Sequence, residues 1–171
     1  MHKAKLVELR CTMSSSAATV QVYRQMRTLA HTYECTMDHE DGLSWTVVVA
    51  SDACPTRLSR ALRKARHLEM VLHIRFPDDF PASPPFVRVV RPTFERMTGH
   101  ITSGGAICAE VLSSSQSAEG WISTISMGSL IPNLLVVIDD GTPEVVKGKG
   151  RYWESDAREA HRRLVARYRW M

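Results

Sequence analysis

Apolar residues recur at spacings of four, three and four at Val22, Met26, Leu29 and Tyr33. A helix gathers such positions on one face, so the pattern predicts an amphipathic helix over 16–31, with Tyr23 and Ala30 joining the stripe. Arg24, Arg27 and His31 fall on a different face. Ser14, Ser15 and Ser16 stand where hydroxyls cap the free amides of a first turn. The period then changes. Strands are predicted at 33–37 and, after the Asp41-Gly42 turn signal, at 43–50, where Trp45, Thr46 and three valines suit a half-buried sheet. Alternation returns at 68–76 and 86–90. Between the second and third strands, Leu58 and Leu62 lie four apart amid Arg57, Arg60, Arg63, Lys64 and Arg66. That stretch, 55–66, predicts a short basic helix inserted between strands.

Four prolines fall among the eleven residues from Phe76 to Phe86. They exclude helix and block central-strand pairing, so the backbone there is extended. The run fits a connection pinned to the body of the fold by Phe76, Phe80 and Phe86, or an exposed proline-rich ligand; the three interleaved phenylalanines favour the former. From 91 to 120 there is little periodicity and much Gly, Ser and Thr. A long irregular loop inside a compact domain is usually functional. A mostly apolar helix is predicted at 123–138, interrupted by Pro132, and Gly141-Thr142-Pro143 breaks the chain again. The last helix, 155–171, carries a stripe of Ala157, Ala160, Leu164 and Tyr168, with Glu159 preceding Arg163 at a favourable spacing. Helix, strand meander, long loop and closing helices together argue an α+β domain with an antiparallel sheet.

A chain of 171 residues is long enough for one sizeable core, and 44% hydrophobic with 23% charged residues is ordinary globular composition. The net charge of +4 is modest, but Lys and Arg cluster at 57–66 and 158–169, where they could meet nucleic acid or an acidic protein surface; a solvated helix face is favoured over nucleic acid. The four cysteines, Cys11, Cys35, Cys54 and Cys108, form no CxxC pair, which argues against a zinc site or a disulfide framework. No signal peptide or transmembrane run is visible; the apolar run 134–138 ends at Asp139-Asp140. Free thiols in a cytoplasmic or nuclear setting are expected, with no metal, no cofactor and no membrane partner.

Several of these segments resemble one family. The run from Phe76 to Phe86 is similar to the Phe-Pro-x-x-Tyr-Pro-x-x-Pro-Pro pattern that precedes the active site of ubiquitin-conjugating enzymes, with Phe80 in the Tyr place. Thr98-Gly99-His100-Ile101-Thr102-Ser103-Gly104-Gly105-Ala106-Ile107-Cys108 matches the family's active-site stretch without a gap. Cys108 falls on its cysteine and Trp121 on the tryptophan that follows. The segments 84–90, 104–112 and 146–150, and the charged insertion 56–67, resemble the Q-type subfamily in particular. Two features depart from the general pattern: Thr98-Gly99-His100 stands in place of His-Pro-Asn, and the interval between Cys108 and Trp121 is lengthened, Ser-rich through 113–117.

The resemblance implies the ubiquitin-conjugating-enzyme fold: an N-terminal helix, a four-stranded antiparallel meander, a long active-site loop and C-terminal helices. The catalytic domain would occupy 15–171, leaving 1–14 without a usable motif. It also implies an acyl carrier that holds ubiquitin, or a ubiquitin-like protein, as a thioester on Cys108. Sulfur suits that work because a thiolate attacks an activated carboxyl readily and leaves readily. The Gly104-Gly105 lead-in would let the backbone approach an extended peptide tail. His100, in the place of the family's Asn, would donate a hydrogen bond to the developing oxyanion or assist proton removal; otherwise it is a loop histidine bound to backbone. Asp139, Asp140 and Glu144 are candidates for easing the incoming lysine's loss of its proton, or are simply solvated acids. Trp121 is expected in the core beside the loop. The implied partners are the activating enzyme, on the first helix with Arg24, Arg27 and His31, and a ubiquitin ligase, for which Phe80 is the leading contact. A conjugating-enzyme-like module that binds without transferring remains the alternative.

Overall fold

Ser16 opens the first helix, α1 (Ala17–Leu29), by accepting the Thr19 amide on its hydroxyl at 3.2 Å. The computed structural model describes residues 16–38, 42–114 and 120–168. The 1–14 segment, Ser15, Asp41 of the turn signal, Ser115 and Ser117 of the Ser-rich interval, and residues 169–171 lie outside the described residues. Ala18, Val22, Met26 and Leu29 form the buried stripe of α1. Tyr23, expected to join it, is exposed instead, because it sits one position round the helix from Val22. Arg24, Arg27 and His31 are exposed as expected.

Four strands follow: β1 (Glu34–Met37), β2 (Ser44–Ala50), β3 (Glu69–Arg75) and β4 (Phe86–Arg91), in the order β1-β2-β3-β4 and antiparallel throughout. This is the predicted meander. Alternate residues divide between two faces. Trp45, Val47 and Val49 of β2, Met70, Leu72 and Ile74 of β3, and Val87 and Val89 of β4 enter a core shared with Val22, Met26 and Leu29 of α1. The basic segment forms α2 (Thr56–Lys64), which buries Leu58 and Leu62 completely; each such burial contributes about 1.5–3 kcal/mol. The apolar helix is α3 (Met127–Asp140), capped by the Ser126 hydroxyl rather than starting at 123. Pro132 does not interrupt it. The ring is exposed, and the carbonyl it deprives of a partner belongs to the likewise exposed Gly128, where water can serve. No helix among the described residues is long and apolar enough to cross a membrane.

The last helix, α4 (Glu154–Tyr168), lies over the β4 side of the opposite sheet face. His161 meets the Phe86 ring edge-on at 5.2 Å and the Arg158 guanidinium lies 5.2 Å from the same ring. Glu154 stands 3.9 Å from Arg88, and the Tyr152 carbonyl accepts from the Arg88 guanidinium at 3.4 Å. Two strongly polar side chains, His73 and Arg88, are thereby buried side by side on paired strands. His73 Nε2 lies 2.9 Å from the Ser44 hydroxyl, while His73 Nδ1 and Arg88 Nε find no hydrogen-bond partner among the described residues.

Burial, with Arg88 beside it, holds the His73 imidazole below its ordinary value near 6.5, against the opposing pull of Glu154 and Asp38. Burial and Arg158 move His161 in the same direction. A histidine that titrates lower folded than unfolded leaves the unfolded chain with more bound protons in between. Stability is therefore full above the ordinary value and lost as the pH falls below it. Melting temperature should hold steady above about pH 7 and decline towards about pH 5, and His73→Gln, which keeps a donor for Ser44, should flatten that decline. An acid limb equally steep in His73→Gln would show that the burial of this imidazole is not its source.

Candidate active site

Residues 100–108 fold back as a narrow hairpin. The Thr102 amide donates to the Ala106 carbonyl at 2.9 Å and the Gly105 amide returns to the Thr102 carbonyl at 2.9 Å. The Thr102 hydroxyl closes the turn further by accepting the Ala106 amide at 2.9 Å. Ile101 pairs with Ile107 across the hairpin, and both are buried, which anchors the two arms in the core. The next pair outward is His100 and Cys108: the Cys108 amide donates to the His100 carbonyl at 2.8 Å. The hairpin thus turns a separation in sequence into main-chain adjacency. The Val89 amide of β4 donates to the Gly105 carbonyl at 2.8 Å and the Ile107 amide to the Val87 carbonyl at 3.3 Å, so the hairpin extends the sheet beyond β4.

Cys108 is half-buried, at the open end of this hairpin. Burial, and then the charge of Glu110, push its thiol above the ordinary cysteine value. The other described cysteines sit in less favourable surroundings still. Burial and Glu34 push Cys35 up to about 12, and burial with Asp52 and Asp139 pushes Cys54 up to about 11. Neither is suited to act as a thiolate near neutral pH.

His100 adopts a φ of +53°, with Met97 at +63° before it and Thr142 at +50° on the facing turn. Non-glycine residues rarely hold such angles, and a β-branched one least of all. Two tight turns meet here. The Gly99 amide donates to the Gly141 carbonyl at 2.8 Å. A methyl group placed on Gly141 would lie 2.6 Å from His100 Cδ2 and 2.8 Å from its amide nitrogen. The glycine that ends α3 is thus the floor on which His100 rests, a role for which the Gly141-Thr142-Pro143 chain break is the only sequence signal.

No family model matches the chain. Among curated relatives, a Q-like ubiquitin-conjugating enzyme protein of Drosophila melanogaster is 40% identical over 82 residues, 48% of this chain and 22% of that protein. Ubiquitin-conjugating enzyme E2 Q1 of Homo sapiens is 29% identical over 150 residues, 84% of this chain and 34% of that protein. A Q-like ubiquitin-conjugating enzyme protein of Mus musculus is 27% identical over 121 residues, 71% of each chain. The chain is a relative of the Q-type ubiquitin-conjugating enzymes. It spans 22% and 34% of the length of the first two of these relatives. Its fold is the ubiquitin-conjugating-enzyme fold: human ubiquitin-conjugating enzyme E2 G1 superposes with a TM-score of 0.56 at 17% identity, over 72% of this chain and 96% of that one. A ubiquitin-conjugating enzyme E2 from Plasmodium falciparum gives 0.58 at 16% identity, over 80% and 96%.

Not every residue singled out in the sequence occupies the place expected of it. Phe80 is 3% exposed and meets Phe76 edge-on at 4.8 Å and Trp121 at 6.0 Å. Its ring belongs to the core and offers a partner no surface, so any ligase contact in this connection falls to its neighbours. Trp121 is buried as expected, with its indole N–H donated to the Pro81 carbonyl at 2.8 Å. That bond ties the proline-rich connection to the chain leaving the Cys108 loop. Of the three acids, Asp139 is already engaged: its carboxylate accepts the Leu58 amide at 2.6 Å and so caps α2. Asp140 and Glu144 are exposed, on either side of the turn beneath His100. The glycine pair departs furthest from expectation. A methyl group on Gly104 would fall 2.2 Å from the Asp156 carbonyl oxygen, and one on Gly105 2.6 Å from the Tyr152 ring. The space these glycines open is filled by α4 and its lead-in, not left for a peptide tail as expected. Tyr152 and Glu110, both part of the site's frame, carry no signal that sequence alone could raise.

Proposed function

We propose that this chain carries ubiquitin, or a ubiquitin-like protein, as a thioester on Cys108 and passes it to an amine or to a ligase. The observation that carries this is the placing of Cys108. It is half-buried like Cys35 and Cys54, but of these three it alone stands beside His100 at the open end of a backbone-bonded hairpin, in a fold whose relatives are named ubiquitin-conjugating enzymes. In the first step the Cys108 sulfur attacks the thioester carbonyl that joins ubiquitin to an activating enzyme. A carbon–sulfur bond forms as the old one breaks, and the activating enzyme's cysteine departs as thiolate. In the second, a neutral amine attacks the new thioester, the amide bond forms, and the Cys108 sulfur leaves. Incubation with ubiquitin, ATP and an activating enzyme tests the first step: the expected product is an adduct cleaved by reducing agent.

His100 is assigned the oxyanion in the second step, through a ring N–H. Its strained backbone and its fixed seat on Gly141 support that role, since pre-positioned donors lose little on reaction. His100→Ala should load normally and discharge to free lysine more slowly by about a hundredfold, the usual effect of one lost oxyanion donor. Equal discharge rates would return His100 to a purely structural place. The activating enzyme is assigned to the exposed face of α1 and the turn that follows it, where Arg24, Arg27 and His31 are exposed. Double reversal, Arg24→Glu with Arg27→Glu, should slow loading several-fold while leaving the melting temperature within a degree or so, because both side chains are exposed. Unchanged loading would leave these residues a solvated face.

One observation favours a second reading, a module that binds ubiquitin or a partner without transferring it. Burial and Glu110 hold the Cys108 thiol above its ordinary value, the wrong direction for a reactive thiolate. Absence of any reducible adduct in the loading assay, with binding to ubiquitin retained, is the outcome that selects it.

A further inference from the structure

The cations of α2 form a surface on which no acid pairs with them, although Asp139 caps the start of the helix and Asp52 lies in the short turn before it. Arg57, Arg60 and Lys64 follow one another at intervals of three and four, which places them on one ridge of the helix, opposite the buried Leu58 and Leu62. Arg63 and Arg66 flank the ridge, and all five side chains are exposed. Among the described residues, none of the five has an ion-pair or hydrogen-bond partner. On α4 the opposite holds: Arg158 pairs with Glu154 and Arg163 with Glu159, each one turn away.

Helix stability accounts for only part of this arrangement: Arg63 and Lys64 suit the C-terminal end of the helix dipole, and the other cations do not. Like charges three and four apart repel, Arg57 sits at the N-terminal end where the helix dipole disfavours a cation, and no acid occupies the first turn. The helix is held by its two buried leucines and by the Asp139 cap, and its outer face carries charge that folding does not require.

The positive surface continues beyond the helix. The His67 ring lies 3.1 Å from the Val146 carbonyl, which brings the loop bearing Lys147 and Lys149 against the end of α2. Arg66, Lys147 and Lys149 line a hollow of about 450 Å³ there. Arg60, Arg63 and Lys64 line a second shallow groove, of about 670 Å³, whose floor includes Cys54 and Ser59. Cations thus rim two neighbouring depressions, and Arg57 extends the same ridge.

We propose that this face of α2, with the 147–149 loop, docks an acidic peptide segment of a partner protein. Two features favour peptide over nucleic acid. The residues lining both depressions include no Phe, Tyr or Trp on which a base could stack, and the one ring among them, His67, is held against the Val146 carbonyl. Beside them Leu68 is 80% exposed, an apolar anchor suited to a side chain of an acidic peptide. The surface is independent of the thiol chemistry assigned to Cys108, so its test does not use conjugation.

The test measures fluorescence polarisation of a short labelled peptide rich in Asp and Glu with interspersed Leu. An otherwise identical peptide with Asn and Gln in place of the acids serves as control, and an oligothymidylate of equal charge as competitor. The acidic peptide should bind and weaken steeply with added salt, and the neutral peptide should not bind. The triple variant Arg57→Gln, Arg60→Gln, Lys64→Gln, which keeps good helix formers, should raise Kd by about tenfold as three charge pairs are lost. Arg162→Gln, an exposed arginine of α4, should change it by less than about twofold. Circular dichroism of the triple variant checks the fold, and the single variant Arg60→Gln should show a smaller shift in the same direction if the triple one is unstable. Equal effects of the matched single substitutions Arg60→Gln and Arg162→Gln would reduce binding to net charge and overturn the proposal. Preferential binding of the oligothymidylate would overturn it in favour of nucleic acid.

Discussion

Cys108→Ala should abolish the reducing-agent-sensitive ubiquitin adduct, a loss of roughly a thousandfold or more in loading as expected for a deleted nucleophile. Cys35→Ala and Cys54→Ala should retain it. The three thiols differ in environment more than in chemistry. Cys35 lies on the edge strand β1 with its sulfur turned to the Tyr33 carbonyl at 3.5 Å, and its thiol is pushed up to about 12. Cys54 donates to the Ala50 carbonyl at 3.5 Å, and its thiol is pushed up to about 11. Cys108 is raised too, by burial and by Glu110, so only a small thiolate fraction exists near neutrality and loading should accelerate as the pH rises. A non-reducing gel reads all three variants at once. An adduct surviving in Cys108→Ala, or one lost in Cys54→Ala, would place the acyl group on the wrong sulfur. The chain of bonds that makes Cys108 the expected site runs through backbone, not side chain: the amide to His100, the Ile101–Ile107 pair, and the Gly105 carbonyl on β4.

The elements legible in the sequence are those whose residues face one partner only. Val22, Met26 and Leu29 meet the core and nothing else, so a spacing rule locates α1. Each strand except β1 carries an alternating apolar row, and even β1 is placed within a residue by its turn and its pairing with β2. The same logic fails where a residue answers to two constraints. Pro132 weakens the helix locally but does not end it, since its ring and Gly128 are exposed and the buried residues on either side hold α3 to the core. Phe80 stands in a connection that is exposed in part, and its own burial is decided by Phe76 and Trp121, which lie far apart in the chain. The site divides in the same way. Motif register locates Cys108 and His100, and their adjacency follows from the hairpin. Gly141 is visible as a chain break but not as the seat of His100, and Asp139 is visible as an acid but not as the cap of α2. Long-range contacts of a glycine or a carboxylate have no local signature, because the partner is chosen by the fold.

Gly104→Ala should cost about 3 kcal/mol or more and lower the melting temperature by roughly 6–12 °C. The added methyl would sit 2.2 Å from the Asp156 carbonyl oxygen, 2.4 Å from its carbon and 2.7 Å from the Ala157 nitrogen. All three are backbone atoms, so no rotamer change relieves the clash and one of the two segments must move. The hairpin cannot yield easily. Gly105 holds a φ of +93°, its carbonyl is bonded to Val89, and Ile101 and Ile107 are buried on either arm. Nor is α4 loosely attached. Ala157 is fully buried, the Tyr152 amide donates to the Val90 carbonyl at 2.8 Å, and the Tyr152 hydroxyl accepts the Phe94 amide at 2.8 Å. Lifting α4 would uncover His73 and Arg88, whose burial depends on Glu154, Tyr152 and the packing around Phe86. Amide exchange therefore distinguishes the two ways of yielding. Protection lost in α4 and along β3 and β4 together means that the helix has detached from the sheet. Protection lost only at the hairpin means that the segment presenting Cys108 has moved, and loading should fall with it. A Gly104→Ala protein as stable as its parent would show that the close approach of α4 to the hairpin is not a fixed part of this fold.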